Sequence, residues 1–133
     1  MNLSMLAPCG INCAACFAHL RKNKTCPGCR GQEDSQPPYC RRCNIRNCAV
    51  SRAIQFCFEC SAFPCTIIKR IDKRYRLRYQ VNLIQNGLQI KTLGVETFLD
   101  EEKKKWACPQ CGGVICMHDR ICSVCGLEMK PTV

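Results

Sequence analysis

The 133-residue sequence has no apolar run that approaches the roughly 18 residues of a membrane span. Its first residues show neither a basic leader nor a long apolar stretch, so no secretion signal is recognised. Acidic residues are scarce, ten against twenty lysines and arginines, and histidines number two. Aliphatic core formers are also few, because 16 residues of the hydrophobic fraction are cysteines. These shortages predict a cytoplasmic protein with reduced thiols, held together by more than an apolar core.

The sixteen cysteines offer a replacement for the missing apolar core, because they can bind metal ions. Many occur in pairs with two residues between them, a spacing that directs two sulfurs at one metal ion. The main prediction is therefore zinc, with about three to four ions for this number of thiols. Metal-bound cysteine is thiolate, so the formal charge of +10 would be largely balanced by the metal sites.

Cysteine density divides the chain into three predicted parts. Residues 1–66 form a cysteine-rich multi-metal module, residues 67–105 a helical connector packed on it, and residues 106–133 a zinc ribbon. The predicted fold class is a small metal-stabilised α+β protein.

The connector has the periodicity of three helices. The first begins at Pro64, which suits a first helical position, and puts isoleucines and tyrosines opposite lysines and arginines. A second is predicted over residues 81–93. The third, Val95–Lys105, has acidic residues early and three lysines last, as the helix dipole favours.

Two matched knuckles near the end of the sequence are the strongest motif. Cys-Pro-Gln-Cys-Gly (108–112) and Cys-Ser-Val-Cys-Gly (122–126) each present two sulfurs, and the glycine permits a positive φ. Four thiolates at about 2.3 Å close a tetrahedral site with no position for substrate. Structural zinc is predicted, with rubredoxin-like iron as the alternative. The ligands are Cys108, Cys111, Cys122 and Cys125.

Residues 114–118, between the knuckles, are predicted as a strand with Cys116 and His118 on one face. These two residues are candidates for an additional site. A buried cysteine and a surface histidine are the simpler interpretation.

Eleven cysteines lie in the N-terminal module, and tetrahedral sites usually join two pairs, so at least two sites are predicted. Loop length favours joining Cys26 and Cys29 to Cys43 and Cys48 across the polar loop of residues 31–38. The remaining six could hold zinc or an iron–sulfur cluster. The predicted ligands are Cys9, Cys13, Cys16, Cys26, Cys29, Cys43, Cys48, Cys57, Cys60 and Cys65. His19, three residues after Cys16, is a candidate additional ligand.

Four stretches of this module, PCGINCAAC, CPGCR, CNIRNCA and FCFECSAFPC, resemble the cysteine-rich domain of unknown function family 3795. The resemblance rests on ten ordered cysteines and also takes in the helical region around Asn86 and Gly94. It implies a metal-binding class and little mechanism. Cys40 looks like an addition to the family pattern and is therefore only a candidate additional ligand.

Cys9, Cys13 and Cys16 also have a spacing that resembles the cluster loop of radical S-adenosylmethionine enzymes. Those enzymes need a barrel of on the order of 200 residues with alternating strands and helices, and this sequence has no such alternation. No catalytic constellation is recognised and no small-molecule substrate is evident. An enzyme is therefore the less favoured interpretation.

The leading function hypothesis is a zinc-binding, non-enzymatic scaffold or adaptor with a nucleic-acid or protein partner and no membrane. Basic residues beside tyrosines on the first connector helix could bind phosphate and stack bases. A solvated helix face with core tyrosines is the other interpretation of that surface. The alternative function is an iron–sulfur redox or electron-transfer protein. The candidate anion-binding residues are Lys69, Lys73, Arg74 and Arg76.

Overall fold

The structure is a computed structural model that describes residues 1, 3–31, 36–41 and 43–129. Over these ranges the chain is mainly helical, with short 3-10 turns and isolated β-bridges. None of the described helices combines the length and the apolar character needed to cross a membrane. The α-helices are α1 (Phe17–Leu20), α2 (Pro38–Arg41), α3 (Asn44–Ser51), α4 (Thr66–Tyr79), α5 (Leu83–Leu93) and α6 (Val95–Lys105).

The three connector helices are present, with two corrections at their starts. Helix α6 has the predicted bounds. Helix α5 begins at Leu83 rather than at residue 81, because the Asn82 side chain caps it by accepting from the Gln85 N–H at 2.9 Å. Helix α4 begins at Thr66, so the expectation that Pro64 is its first residue is wrong.

The β part of the predicted α+β class is reduced to four isolated bridges among the described residues. The strand predicted over residues 114–118 is wrong beyond Ile115. Val114 and Ile115 each make one bridge, and the chain then turns, with the Arg120 N–H donating to the Cys116 carbonyl at 2.9 Å. The turn over residues 117–119 follows directly after Cys116, so the bridges do not extend into a strand.

Trp106 is the centre of a core that joins the C-terminal module to the rest of the chain. Its side chain is 2 % exposed and packs in one buried cluster with Val81, Leu83 and Met117. The Met117 N–H also donates to the Ala15 carbonyl at 2.8 Å. One core therefore includes residues from all three predicted segments.

Two further buried clusters lie under the N-terminal module. Phe56, Ile90 and Phe98 pack together in one of them. In the other, cysteines are part of the core, with Cys9 and Cys13 among its buried members. Residues 32–35 of the predicted polar loop lie outside the described residues.

Candidate metal centres

The four ribbon cysteines form one compact group of sulfurs. The Sγ atoms of Cys108 and Cys125 are 3.6 Å apart, and those of Cys111 and Cys122 are 3.5 Å apart. All four lie within 4.8 Å of one another. Zinc with four sulfurs at about 2.3 Å would separate those sulfurs by about 3.8 Å. The ribbon sulfurs therefore fit one tetrahedral ion.

Backbone geometry supports thiolates in both knuckles. The Gln110 N–H donates to the Cys108 sulfur and the Val124 N–H to the Cys122 sulfur, each at 3.4 Å. The N–H groups of Cys125 and Val124 lower the pKa of Cys122, which favours the charged form that a metal binds. The glycine after each knuckle has the positive φ that the sequence predicted, +78° at Gly112 and at Gly126.

The structure gives His118 a role between the modules. Its Nδ1 accepts from the Phe17 N–H at 3.3 Å, and its Nε2 lies 3.3 Å from the Tyr75 hydroxyl. Because Nδ1 accepts, the neutral ring carries its proton on Nε2. Burial lowers the pKa of His118, in agreement with a neutral ring. Both nitrogens thus have partners other than a metal. Cys116 is a buried thiol that interacts with the Asp119 side chain and belongs to no group of three or more potential ligands among the described residues.

In the N-terminal module, the turn that carries Cys13 and Cys16 faces the turn that carries Cys26 and Cys29. The Cys13 and Cys29 side chains interact, which lowers the pKa of Cys13 and raises that of Cys29. Cys16 interacts with Cys13 and Cys26, and burial raises its pKa to about 12. The Cys26 N–H donates to the Ala18 carbonyl at 2.8 Å and so holds the turns together. We call these four cysteines the knuckle group.

Two candidate additional ligands lie beside the knuckle group. The Nδ1 of His19 is 2.7 Å from the Cys26 carbonyl. Metal-binding histidines commonly donate one N–H to a backbone carbonyl, which leaves the other nitrogen for the metal. Cys40 interacts electrostatically with Cys26 and Cys13, and burial raises its pKa to about 11. Ligation by His19 or Cys40 stays a prediction.

A second set of thiols lines one small cavity of about 40 Å³. They come from three elements. Cys48 lies on α3, Cys57 begins a 3-10 turn that Cys60 ends, and Cys65 is the N-cap of α4. Burial raises the pKa of Cys57 to about 12, with smaller contributions from its neighbours in the set. We call Cys48, Cys57, Cys60 and Cys65 the cavity group. Cys9 interacts with Cys13 on one side and with Cys57 on the other, so it lies between the two groups.

Sequence reasoning gave no role to two charged residues that support the cavity group. The Glu59 carboxylate accepts from the backbone N–H groups of Gln55 and Phe56, both at 2.7 Å, and so orders the turn between Cys57 and Cys60. The Arg52 guanidinium lies 3.9 Å from the Cys60 sulfur. The sequence signal that could have identified this role of Glu59 is its position, because a glutamate at the third residue of a helical turn often accepts from the backbone N–H groups at the start of that turn.

A family model described as Protein of unknown function (DUF3795) matches residues 5–70. Residues 5–70 belong to this family. The DUF3795 segment contains all eleven N-terminal cysteines and so confirms the resemblance stated from the sequence. It ends within α4, and the region around Asn86 and Gly94 lies beyond it. Neither a curated protein nor a solved structure matches the chain significantly.

The grouping of thiols within the DUF3795 segment differs from the pairing expected from loop length. That pairing put Cys48 with Cys26 and Cys29, whereas Cys48 lines the cavity with Cys57 and its neighbours. Helix α3 gives the reason. Cys43 caps this helix and Cys48 lies five residues later, so the two point in directions that differ by about 140° at 3.6 residues per turn.

Helix α4, where the DUF3795 segment ends, carries the candidate anion-binding residues. Lys69, Lys73 and Arg74 are exposed, whereas the Arg76 Nε donates to the buried Asp72 carboxylate at 2.8 Å. The tyrosines of this helix pack inward. The ring centroids of Tyr75 and Tyr79 lie 5.8 Å and 4.7 Å from that of His118. The expectation that these tyrosines stack on bases is therefore not supported.

Proposed function

We propose that the protein is a zinc-stabilised, non-enzymatic scaffold that binds nucleic acid through α4. The observation that carries the zinc part is the spacing of the ribbon sulfurs, which all lie within 4.8 Å of one another. Four thiolates leave no open coordination position, so the ion in the ribbon is structural. Such a site contributes on the order of 10 kcal/mol or more to folding at neutral pH, which suits a chain with few aliphatic residues.

The knuckle group is the second proposed zinc site. Its two turns each supply a pair of thiols, and the Cys13 and Cys29 side chains interact between the turns. A zinc ion there would supply a divalent charge that all four thiolates bind.

The charge on α4 supports a polyanionic partner. Asp72 is the only acidic residue in Thr66–Tyr79, and its carboxylate is buried. The exposed charges of the helix are therefore all positive, over a length of about 20 Å at 1.5 Å per residue. This favours contact with a row of phosphates. The exposed cationic residues include Lys69, Arg70, Lys73, Arg74 and Arg78.

Binding through α4 is expected to be tolerant of sequence. Its tyrosines pack against His118, so base stacking by these rings does not contribute. Contacts from lysine and arginine to phosphate carry no sequence information by themselves. We therefore expect similar affinities for different oligonucleotides of equal length.

The test is the salt dependence of binding to fluorescent single-stranded and duplex DNA, measured by anisotropy. Each lost phosphate contact reduces the slope of log K against log salt by about 0.7 to 0.9. The double variant K73A/R74A should therefore reduce the slope by roughly 1.5. The control K91A/K103A removes the same charge from exposed sites on α5 and α6. Equal slopes for wild type and K73A/R74A would rule out α4, and a solvated helix face would then be the correct interpretation.

A further inference from the structure

A cavity of about 540 Å³ lies between α5 and α6, apart from the cysteine groups and from the basic surface of α4. Its volume is within the range of about 300 to 1,000 Å³ that is usual for small-molecule sites. The lining residues recur at helical spacing, so one face of each helix forms one wall. They include Asn86 and Leu93 from α5, with Phe98, Glu101, Glu102 and Lys105 from α6.

Three buried side chains form the floor of this cavity, and two of them are polar. Phe98 is 2 % exposed, Glu102 is 5 % exposed and Asn86 is 7 % exposed. Buried polar side chains normally have hydrogen-bond partners, because an unpaired buried group costs free energy. The partners of the two polar floor residues therefore decide which ligand the cavity suits.

Each polar floor residue has one oxygen that lacks a donor. The Asn86 Nδ2 donates to the Gly10 carbonyl at 3.0 Å, and no group in the described part of the chain donates to its Oδ1. The Glu102 Oε2 accepts from Trp106 Nε1 at 2.6 Å, and Oε1 likewise has no donor among the described residues. Amide and carboxylate oxygens accept hydrogen bonds, so a ligand that pairs with both must donate.

The charges around the cavity favour a donor that is also a cation. Burial raises the pKa of Glu102, and the Lys105 charge opposes this only in part. The Lys105 Nζ lies over the Trp106 ring, 5.2 Å from its centroid. Glu101 has its own partner, because its Oε1 lies 3.8 Å from Lys104 Nζ. Helix α5 adds no charged side chain to the lining as far as the structure describes it.

An organic cation suits this cavity better than a metal ion does. Calcium and magnesium take roughly six or more oxygen ligands, and a metal-sized group of acidic, histidine or cysteine side chains is found in the described ranges only at the ribbon. The cavity also offers apolar surface, from the Phe98 ring and from Leu93, which is 50 % exposed. Aromatic rings attract cations, and both residues can contact an alkyl chain.

We propose that the cavity between α5 and α6 binds a small organic ammonium ion, whose N–H groups donate to Glu102 Oε1 and Asn86 Oδ1. The alkyl part of the ligand packs on Phe98 and Leu93. The ammonium binds the ionised form of Glu102, so the affinity rises as pH increases and this carboxyl loses its proton. The site is independent of the ribbon zinc and of nucleic-acid binding by α4.

The test is a titration of the full zinc-loaded chain with n-butylamine at constant ionic strength, followed by NMR. The chain has one tryptophan, so a single indole N–H signal reports the hydrogen bond from Trp106 to Glu102. We expect this signal to move to saturation with butylamine. It should hardly move with n-butanol or butyrate, which are similar in size and lack the positive charge. The amine stays protonated from about pH 5 to pH 8, so an affinity that rises over this range reports Glu102.

Three variants locate the ligand. E102Q keeps an acceptor for Trp106 and removes the charge, so the affinity should fall about tenfold and lose its pH dependence. K105Q removes a competing cation and should bind about threefold more tightly. E96Q is the matched control, since Glu96 is an exposed residue of α6 outside the cavity, and it should bind like the wild type. Lys105 is also exposed, so K105Q tests the site even if E102Q fails to fold.

Three results would overturn the proposal. The first is an equal response to butylamine and butanol, and the second is an affinity that is unchanged in a folded E102Q or in K105Q. The third is a larger response to calcium or magnesium than to butylamine. Failure of the ribbon-zinc or α4 proposals would appear separately, in the zinc content of C111S and in the salt slope of K73A/R74A.

Discussion

The buried carboxylate of Asp72 connects α4 to α5 through two different partners. Its Oδ2 accepts from Arg76 Nε at 2.8 Å, and its Oδ1 accepts from the Ile84 N–H at 3.1 Å. The Asp72 side chain is 4 % exposed, whereas that of Arg76 is 47 % exposed. Asp72 is thus a buried charge with a partner on each oxygen, and Arg76 supports the helix pair as well as contributing to the basic face.

Removing Asp72 should destabilise the protein more than removing Arg76. D72A leaves the Ile84 N–H without its acceptor and should cost about 1–3 kcal/mol. R76A leaves Asp72 with the backbone partner, and water can reach the half-exposed position, so we expect a smaller loss. Urea unfolding followed by circular dichroism compares the two variants. A greater loss in R76A would contradict this account of the helix pair.

Loss of one ribbon ligand should remove one zinc ion and unfold the ribbon. C111S leaves three sulfurs, and a structural site of this type supplies on the order of 10 kcal/mol of folding free energy. Metal analysis should show one zinc fewer, and the fluorescence of Trp106, which packs against the ribbon core, should shift as the ring becomes solvated. The matched control is C116S, a buried cysteine of the same module, which should retain its zinc.

His118 should contribute to stability and not to metal content. H118A removes the acceptor of the Phe17 N–H and the partner of the Tyr75 hydroxyl, at a cost of about 1–3 kcal/mol. The thermal midpoint should fall while the zinc per chain stays that of the wild type. Y75F removes one of these two contacts and keeps the ring, so its thermal midpoint should lie between those of H118A and the wild type. Loss of one zinc in H118A would restore the prediction that this histidine is a ligand.

Glu102 should make stability depend on pH. It is 5 % exposed and accepts from Trp106 Nε1 at 2.6 Å. Burial raises the pKa of Glu102, which the Lys105 charge and the Trp106 hydrogen bond only partly oppose. Because the folded-state pKa is raised, the protonated Glu102 side chain stabilises the fold fully below the unfolded-state pKa of about 4.3. This stabilisation is lost as the pH rises through the folded-state pKa.

Two substitutions separate the charge of Glu102 from its hydrogen bond. E102Q keeps an acceptor for Trp106 but cannot ionise, so its stability relative to wild type should improve from about pH 5 to pH 8. E102L cannot ionise either but leaves the Trp106 N–H unpaired, so it should be less stable than E102Q by about 1–3 kcal/mol at every pH in this range. Urea unfolding at several pH values measures both. A constant difference between E102Q and wild type would contradict the raised pKa.

Features that depend on residues close together in the sequence were predicted well. The grouping of the four ribbon cysteines, which could hold a metal ion, follows from two Cys-x-x-Cys-Gly turns, whose backbone geometry is local. Helix α6 has its predicted bounds because its charges suit the helix dipole at both ends. The helical pattern of α4 was also recognised, although the burial of Asp72 was not, since it depends on the position of Ile84 on the next helix.

The sequence by itself therefore determined the cysteine-rich composition, the ribbon site and the three connector helices. Tertiary structure decided which N-terminal thiols meet, because three separate elements bring Cys48, Cys57 and Cys65 to one cavity. It also decided that the α4 tyrosines pack against His118 from the far end of the chain. The physical reason is that local turns and helices depend on neighbours a few residues away, whereas these groupings depend on how whole elements pack.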